Sequence, residues 1–235
     1  MWAIYKRELR SYFVTPIGYV FAGVFLAVSG SLFAYTVLLR ADTSSMSLYF
    51  VMLLFVFAIL IPLLTMKLFA DERRTKSEQL LMTAPVSLTS MVLAKYLAAL
   101  TVFAAVLAVN SFNFYLLYLY GEPSAAYLFA NILGLFLIGA AFIAVGLLIS
   151  ALTESQLIAA IGSMGLIMVI LVAGLLSDNI PVEWVRVVIK WFSITDRYSP
   201  FLSSILDLSA VVYFISFAAV FLFLTVRVYE KRRWS

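Results

Sequence analysis

Six times along this chain, a run long enough to cross a bilayer passes without one charged side chain: residues 17–39, 48–66, 96–120, 125–152, 157–176 and 208–226. A helix spanning the hydrocarbon needs about 20 mostly apolar residues, and it is one of the two backbone forms that satisfy their own polar groups in lipid. Six such runs predict an all-α integral membrane protein of six transmembrane helices, residues 1–235 forming a single transmembrane domain. The first run is too long for the apolar core of a signal peptide, and a second run follows it closely. Composition agrees: 65% of the residues are hydrophobic and 12% charged, against about 25% charged in soluble domains.

The formal charge of +4 is compatible with nucleic acid or with an anionic membrane surface, and the positions of the charges decide between them. With six spans both termini share a face. Lys6, Arg7, Arg10, Lys67, Arg73, Arg74, Lys76, Lys95, Arg227, Lys231, Arg232 and Arg233 fall on that face, and Arg40, Arg186, Lys190 and Arg197 on the other. The positive-inside rule then predicts cytoplasmic termini. Topology accounts for the charge, so no nucleic-acid partner is expected.

Four segments lie outside the runs. In residues 1–15, Trp2, Tyr5, Leu9, Tyr12 and Phe13 recur at helical spacing with Lys6, Arg7 and Arg10 on another face, which predicts an amphipathic helix on the inner leaflet. Thr15 and Pro16 end it, since Pro suits the first turn of the next helix. Residues 71–86 are the most polar stretch. Glu72 with Lys76, and Arg74 with Glu78, are spaced i to i+4 and predict a charged cytoplasmic helix ended by Pro85. Leu80, Leu81 and Met82 then need burial, in the inner leaflet or in a groove on another protein. Residues 177–207 read as an extracytoplasmic helical hairpin. Its first helix has Val182, Val185, Val188, Ile189 and Phe192 opposite Glu183, Arg186 and Lys190; its second piece is broken by Pro200; Trp184 and Trp191 suit headgroup depth. The C-terminal Arg227 to Trp234 stretch reads as a basic anchor.

The absences narrow the chemistry. The chain has no Cys and no His, so it lacks thiolates, the commonest metal ligand and the usual general base. None of the six runs holds a carboxylate or a Lys, the groups that ion-coupled carriers keep inside their spans. Asn110 and Asn113 share a helix face and fit either a pathway lining or an interhelical hydrogen bond. No glycine precedes a lysine, so the chain has no phosphate-binding loop of its own. An intramembrane enzyme is disfavoured for want of a base or an activated nucleophile.

The layout and its motifs resemble the type-two ABC exporter permeases along essentially the whole chain. The resemblance rests on the N-terminal elbow followed by Thr15-Pro16-Ile17-Gly18-Tyr19, on Leu80-Leu81-Met82-Thr83-Ala84-Pro85-Val86, on Lys95 at the third span, and on the external hairpin. It extends to Val211-Val212-Tyr213 and to Arg232-Arg233-Trp234. Among these permeases the chain is most similar to the gliding-motility-associated branch. It departs from the common pattern at Lys76-Ser77-Glu78-Gln79, where Gly-Thr-x-Glu is frequent, and at Ser204, where a glycine is usual.

The resemblance implies a non-catalytic subunit of the prokaryotic cytoplasmic membrane that pairs with a second copy or a sister permease. It implies two ABC ATPase subunits that bind ATP and Mg, this chain holding no cofactor. The 71–86 segment would be the coupling helix, with Glu72, Arg73, Arg74, Glu78, Leu81 and Met82 touching the ATPase. The branch further implies an auxiliary subunit with an extracytoplasmic part. Substrate export is the first expectation; relay of ATPase motion to an outside partner without transport is the alternative.

Overall fold

The computed structural model describes residues 1–38, 45–76, 87–115, 124–177 and 183–233. Among these every regular element is a helix: α1 (Trp2–Val14), α2 (Pro16–Phe33) continuing into a π-helical turn at Ala34–Leu38, α3 (Ser45–Thr65), α4 (Lys67–Arg74) and α5 (Leu88–Asn110). Then come α6 (Ala125–Leu152), α7 (Gln156–Leu176), α8 (Glu183–Phe192), α9 (Ile194–Leu202) and α10 (Leu208–Arg233). Six helices, Pro16–Val37, Met46–Arg74, Leu88–Tyr115, Ala125–Leu152, Gln156–Leu176 and Leu208–Arg232, are long and apolar enough to cross a membrane.

The bundle is built around α6, which packs against α3, α4, α5, α7, α9 and α10. Its sequence explains this position. Gly134, Gly139 and Gly146 lie where an added Cβ would collide with Tyr198, Phe103 and Thr65 respectively. In lipid, where the solvent is as apolar as the side chains, close backbone approach of this kind supplies the packing energy. Val24 and Val28 of α2, Ile161 and Val169 of α7, and Ile215 and Val220 of α10 point outward instead, as lipid-facing side chains do.

At one end of α6, α9 folds back into the bundle. Its Tyr198 and Phe201 are buried over Gly134, the Tyr198 hydroxyl donates to Asn131 Oδ1 at 3.0 Å, and Asn131 Nδ2 donates to the Phe201 carbonyl at 3.1 Å. One expectation changes here. Pro200 does not break the second piece, because it sits in the last turn and the helix ends only at Leu202. In α8, Trp184, Val187 and Trp191 stand exposed at i, i+3 and i+7; Val182 lies outside the described residues. Beyond α9, Ser204 has φ 62°, the left-handed region in which glycine costs nothing, so the glycine usual in similar permeases has a conformational reason.

Candidate functional site

The opposite end of the bundle gathers α1, α4, the start of α5 and the end of α6. The Thr15-Pro16-Ile17-Gly18-Tyr19 motif brings α1 there. Thr15 is extended, Pro16 opens α2, and a Cβ on Gly18 would press on the Tyr12 carbonyl, so the glycine lets α2 turn sharply under the end of α1. The buried Tyr12 hydroxyl then donates to the Leu64 carbonyl at 2.9 Å. Burial, with a smaller contribution from the nearby Glu8 charge, raises the Tyr12 phenol well above its usual value, so it remains a donor.

Leu64 lies at the joint between α3 and α4. Pro62, within α3, has no N–H to give its own helix, and α4 follows directly after Met66. The first N–H groups of any helix lack partners within it. Here Ser150 of α6 supplies them: its Oγ accepts from Phe69 N and Ala70 N, both at 3.1 Å, and donates to the Met66 carbonyl at 3.0 Å. One donor and two acceptor sites are a hydroxyl's full capacity. We expect Ser150→Ala, which leaves buried amides without this partner, to lower stability by about 1–3 kcal/mol. The loss should concentrate in faster hydrogen exchange at Phe69 and Ala70.

A charge cluster holds the other flank of α4. Lys95 of α5 is fully buried. Its Nζ donates to the Leu68 carbonyl at 2.7 Å and pairs with Glu72 Oε1 at 2.9 Å and Glu8 Oε1 at 3.2 Å, over the Phe69 ring at 5.0 Å. All three ammonium protons are thereby used. Arg7 closes the cluster, its Nη2 lying 2.6 Å from Glu8 and 2.7 Å from Glu72. Burial alone raises the Glu8 carboxyl; the Lys95 charge and the hydrogen bond and charge of Arg7 outweigh it and hold Glu8 below its usual value. Arg7 is partly desolvated too, yet Glu8 and Glu72 hold its guanidinium above the ordinary value.

Further along α4, Arg73 reaches Glu154 at 2.8 Å, Asp71 accepts from Gln156 at 2.8 Å, and Arg74 pairs with Asp71 at 3.2 Å. The short helix is therefore gripped by α1 and α5 on one side and by the α6–α7 turn on the other. Among the described residues no group of His, Cys, Asp and Glu is disposed to hold a metal ion. This site is a joint of paired charges and capped backbone.

Of the residues singled out from sequence, Glu72, Arg73 and Arg74 come together here, while Glu78, Leu81 and Met82 lie outside the described residues. The local pairing of Glu72 with Lys76 does not form. The helix ends at Arg74, Lys76 has φ 57°, and Glu72 turns inward to Lys95 and Arg7. Lys95, which falls just short of the third charge-free run, lies well inside α5, so one buried charge does reside in a span-length helix. Glu8 has a sequence signal, since it stands three residues after Tyr5 and four before Tyr12, on the apolar stripe. Asn110 and Asn113 form an interhelical network, in which Asn110 Oδ1 accepts from Ser29 Oγ at 2.8 Å and Asn113 Nδ2 at 3.1 Å. Asn110 Nδ2 donates to the Tyr49 hydroxyl at 3.3 Å.

No curated protein matches the chain. A family model for the ABC-2 type transporter matches residues 1–206, from the elbow-like α1 through α9 and including every residue of the joint. With six membrane-length helices as well, the chain belongs to the ABC-2 type transporter family and is a multi-pass membrane protein.

Proposed function

We propose that this chain is the permease subunit of an ATP-driven exporter, coupling hydrolysis by a separate ABC ATPase to movement of its six spans. The observation that carries this reading is the joint. A short polar helix continues a span and is tied to four other helices by side chains that satisfy its backbone and its charges. Motion applied to α4 passes to α1 and α5 through Lys95, and to α6 through Ser150. The chain supplies no phosphate-binding loop, so the force originates in another subunit. Membership of the ABC-2 family supports an ABC ATPase as that subunit. Two ATPases and two permeases per complex, ATP and Mg held by the ATPases, and an auxiliary extracytoplasmic subunit as in the gliding-motility-associated branch complete the proposal. ATP closes the ATPases, and the spans exchange between two arrangements by a shift of population.

The direct test is co-purification with a candidate ABC ATPase and measurement of its hydrolysis with and without the permease. No complex and no change in hydrolysis would sink the proposal.

The joint lies at the end that bears both termini, and the basic-residue bias puts that end in the cytoplasm. In this naturally Cys-free chain, single cysteines at Ser45, Ser124 and Ser203 should react with an impermeant reagent in intact cells, and one at Ser77 only after lysis. Labelling of position 77 from outside reverses the orientation.

A further inference from the structure

Between α1, α4 and α5 lies a cavity of about 280 Å³ lined by Arg7, Glu8, Ser11, Tyr12, Lys67, Leu68, Asp71, Glu72 and Lys95. The lining holds three cations and three carboxylates, but Asp71 is paired from outside it, by Arg74. Glu8 and Glu72 are shared between Lys95 and Arg7, and Asp71 is taken by Arg74 and Gln156. Lys67 has no ion-pair partner among the described residues, and the Ser11 hydroxyl has no hydrogen-bond partner among them. The groups left over are thus one ammonium and one hydroxyl donor, facing the same space, with the half-exposed Arg7 guanidinium at its edge. Each carboxylate already has a cationic partner. Such a remainder recognises an anion.

The surroundings say which anion. On α1, beside the cavity, Trp2, Phe13 and Val14 are exposed and Lys6 lies over the Trp2 ring at 5.1 Å. An amphipathic helix of this composition sits at the depth of lipid headgroups, and an ammonium left over in a pocket between helices at that depth suits a phospholipid phosphate. The volume is near the lower bound of ligand pockets, enough for a headgroup.

We infer that this cavity holds the phosphate of an anionic phospholipid, bound by Lys67 and Ser11 with Arg7 at its rim. The lipid would be wedged between the elbow and α4, so leaflet composition would act on the joint. This inference requires only that the chain is inserted in a membrane, and it stands or falls separately from the ATPase.

The test uses the purified full chain, delipidated in detergent and titrated with dihexanoyl-phosphatidylglycerol, bound lipid being counted by native mass spectrometry. One saturable lipid per chain is expected. Lys67→Gln should weaken it by roughly tenfold through loss of a charge-assisted hydrogen bond. Lys67→Arg should retain it, and Lys6→Gln, a nearby cation outside the cavity, should not alter it. The lipid-free melting temperature of each variant, expected unchanged because Lys67 is partly exposed, separates misfolding from lost binding. The inference is overturned by wild-type binding in Lys67→Gln, or by an equal loss in Lys6→Gln. Equal binding of dihexanoyl-phosphatidylcholine, or displacement by inorganic phosphate at matching concentration, overturns it as well.

Discussion

Replacing Lys95 with Met is expected to leave little folded protein in the membrane. The substitution keeps the volume and removes the charge, which leaves Glu8 and Glu72 close together at low exposure without the ammonium they share. Breaking a buried pair by removing one partner costs about 3–5 kcal/mol, and the Leu68 carbonyl loses its donor as well. At about 2–4 °C per kcal/mol for a chain of this size, the melting temperature should fall by roughly 10 °C. Adding Glu8→Gln, which neutralises one stranded carboxylate without changing its shape, should recover part of the loss.

The same cluster carries a pH signature. Glu8 is held below its usual value in the folded chain, so the unfolded chain binds the extra proton first. The stabilisation is complete above the ordinary carboxylate range and fades as pH drops through the folded value. Acid should therefore destabilise the wild type more steeply than Glu8→Gln. An unchanged melting temperature in Lys95→Met, at equal membrane levels, would remove the basis for treating the cluster as a clamp.

The second large effect is expected at Leu81, beyond the joint. If the segment after α4 docks in an apolar groove of an ABC ATPase, Leu81→Asp places a carboxylate there without a partner, at a cost on the order of several kcal/mol. Binding should fail: the ATPase no longer co-purifies, and the permease no longer changes its hydrolysis. Burial of Leu80, Leu81 and Met82 in the inner leaflet predicts a different outcome, with insertion or stability impaired and the ATPase still attached. Membrane level and melting temperature are therefore measured first. A normally inserted Leu81→Asp chain that still binds and stimulates the ATPase would refute the coupling role.

The spans were legible because lipid imposes a rule that works residue by residue: one charge in a run is enough to interrupt it. That rule also caused the main misplacement. Lys95 interrupts an apolar stretch that begins earlier, and the helix itself starts at Leu88, where Ser87 caps it by accepting from Ser90 N. The charge is tolerated because its partners come from Glu8 and Glu72, far away in sequence. Spacing rules see only neighbours, so they offered Glu72 to Lys76 four residues on. In the fold, two carboxylates and a carbonyl around a buried ammonium outweigh an exposed i to i+4 pair worth about 0.3–0.5 kcal/mol. Ser150 was invisible for a similar reason. A serine in an apolar helix shows no sign that it will cap another helix some eighty residues away.

The hydrogen bonds of Asn131 place a clock on assembly. When the fourth span enters the bilayer, its amide can reach only a carbonyl one turn back, that of Tyr127. The Tyr198 hydroxyl and the Phe201 carbonyl that complete it are synthesised long afterwards. An unsatisfied amide in hydrocarbon costs several kcal/mol, so the half-made protein holds an open polar seat that only α9 fills. Insertion of the first five spans is therefore expected to precede a closing step in which the segment after the fifth span folds back over Asn131.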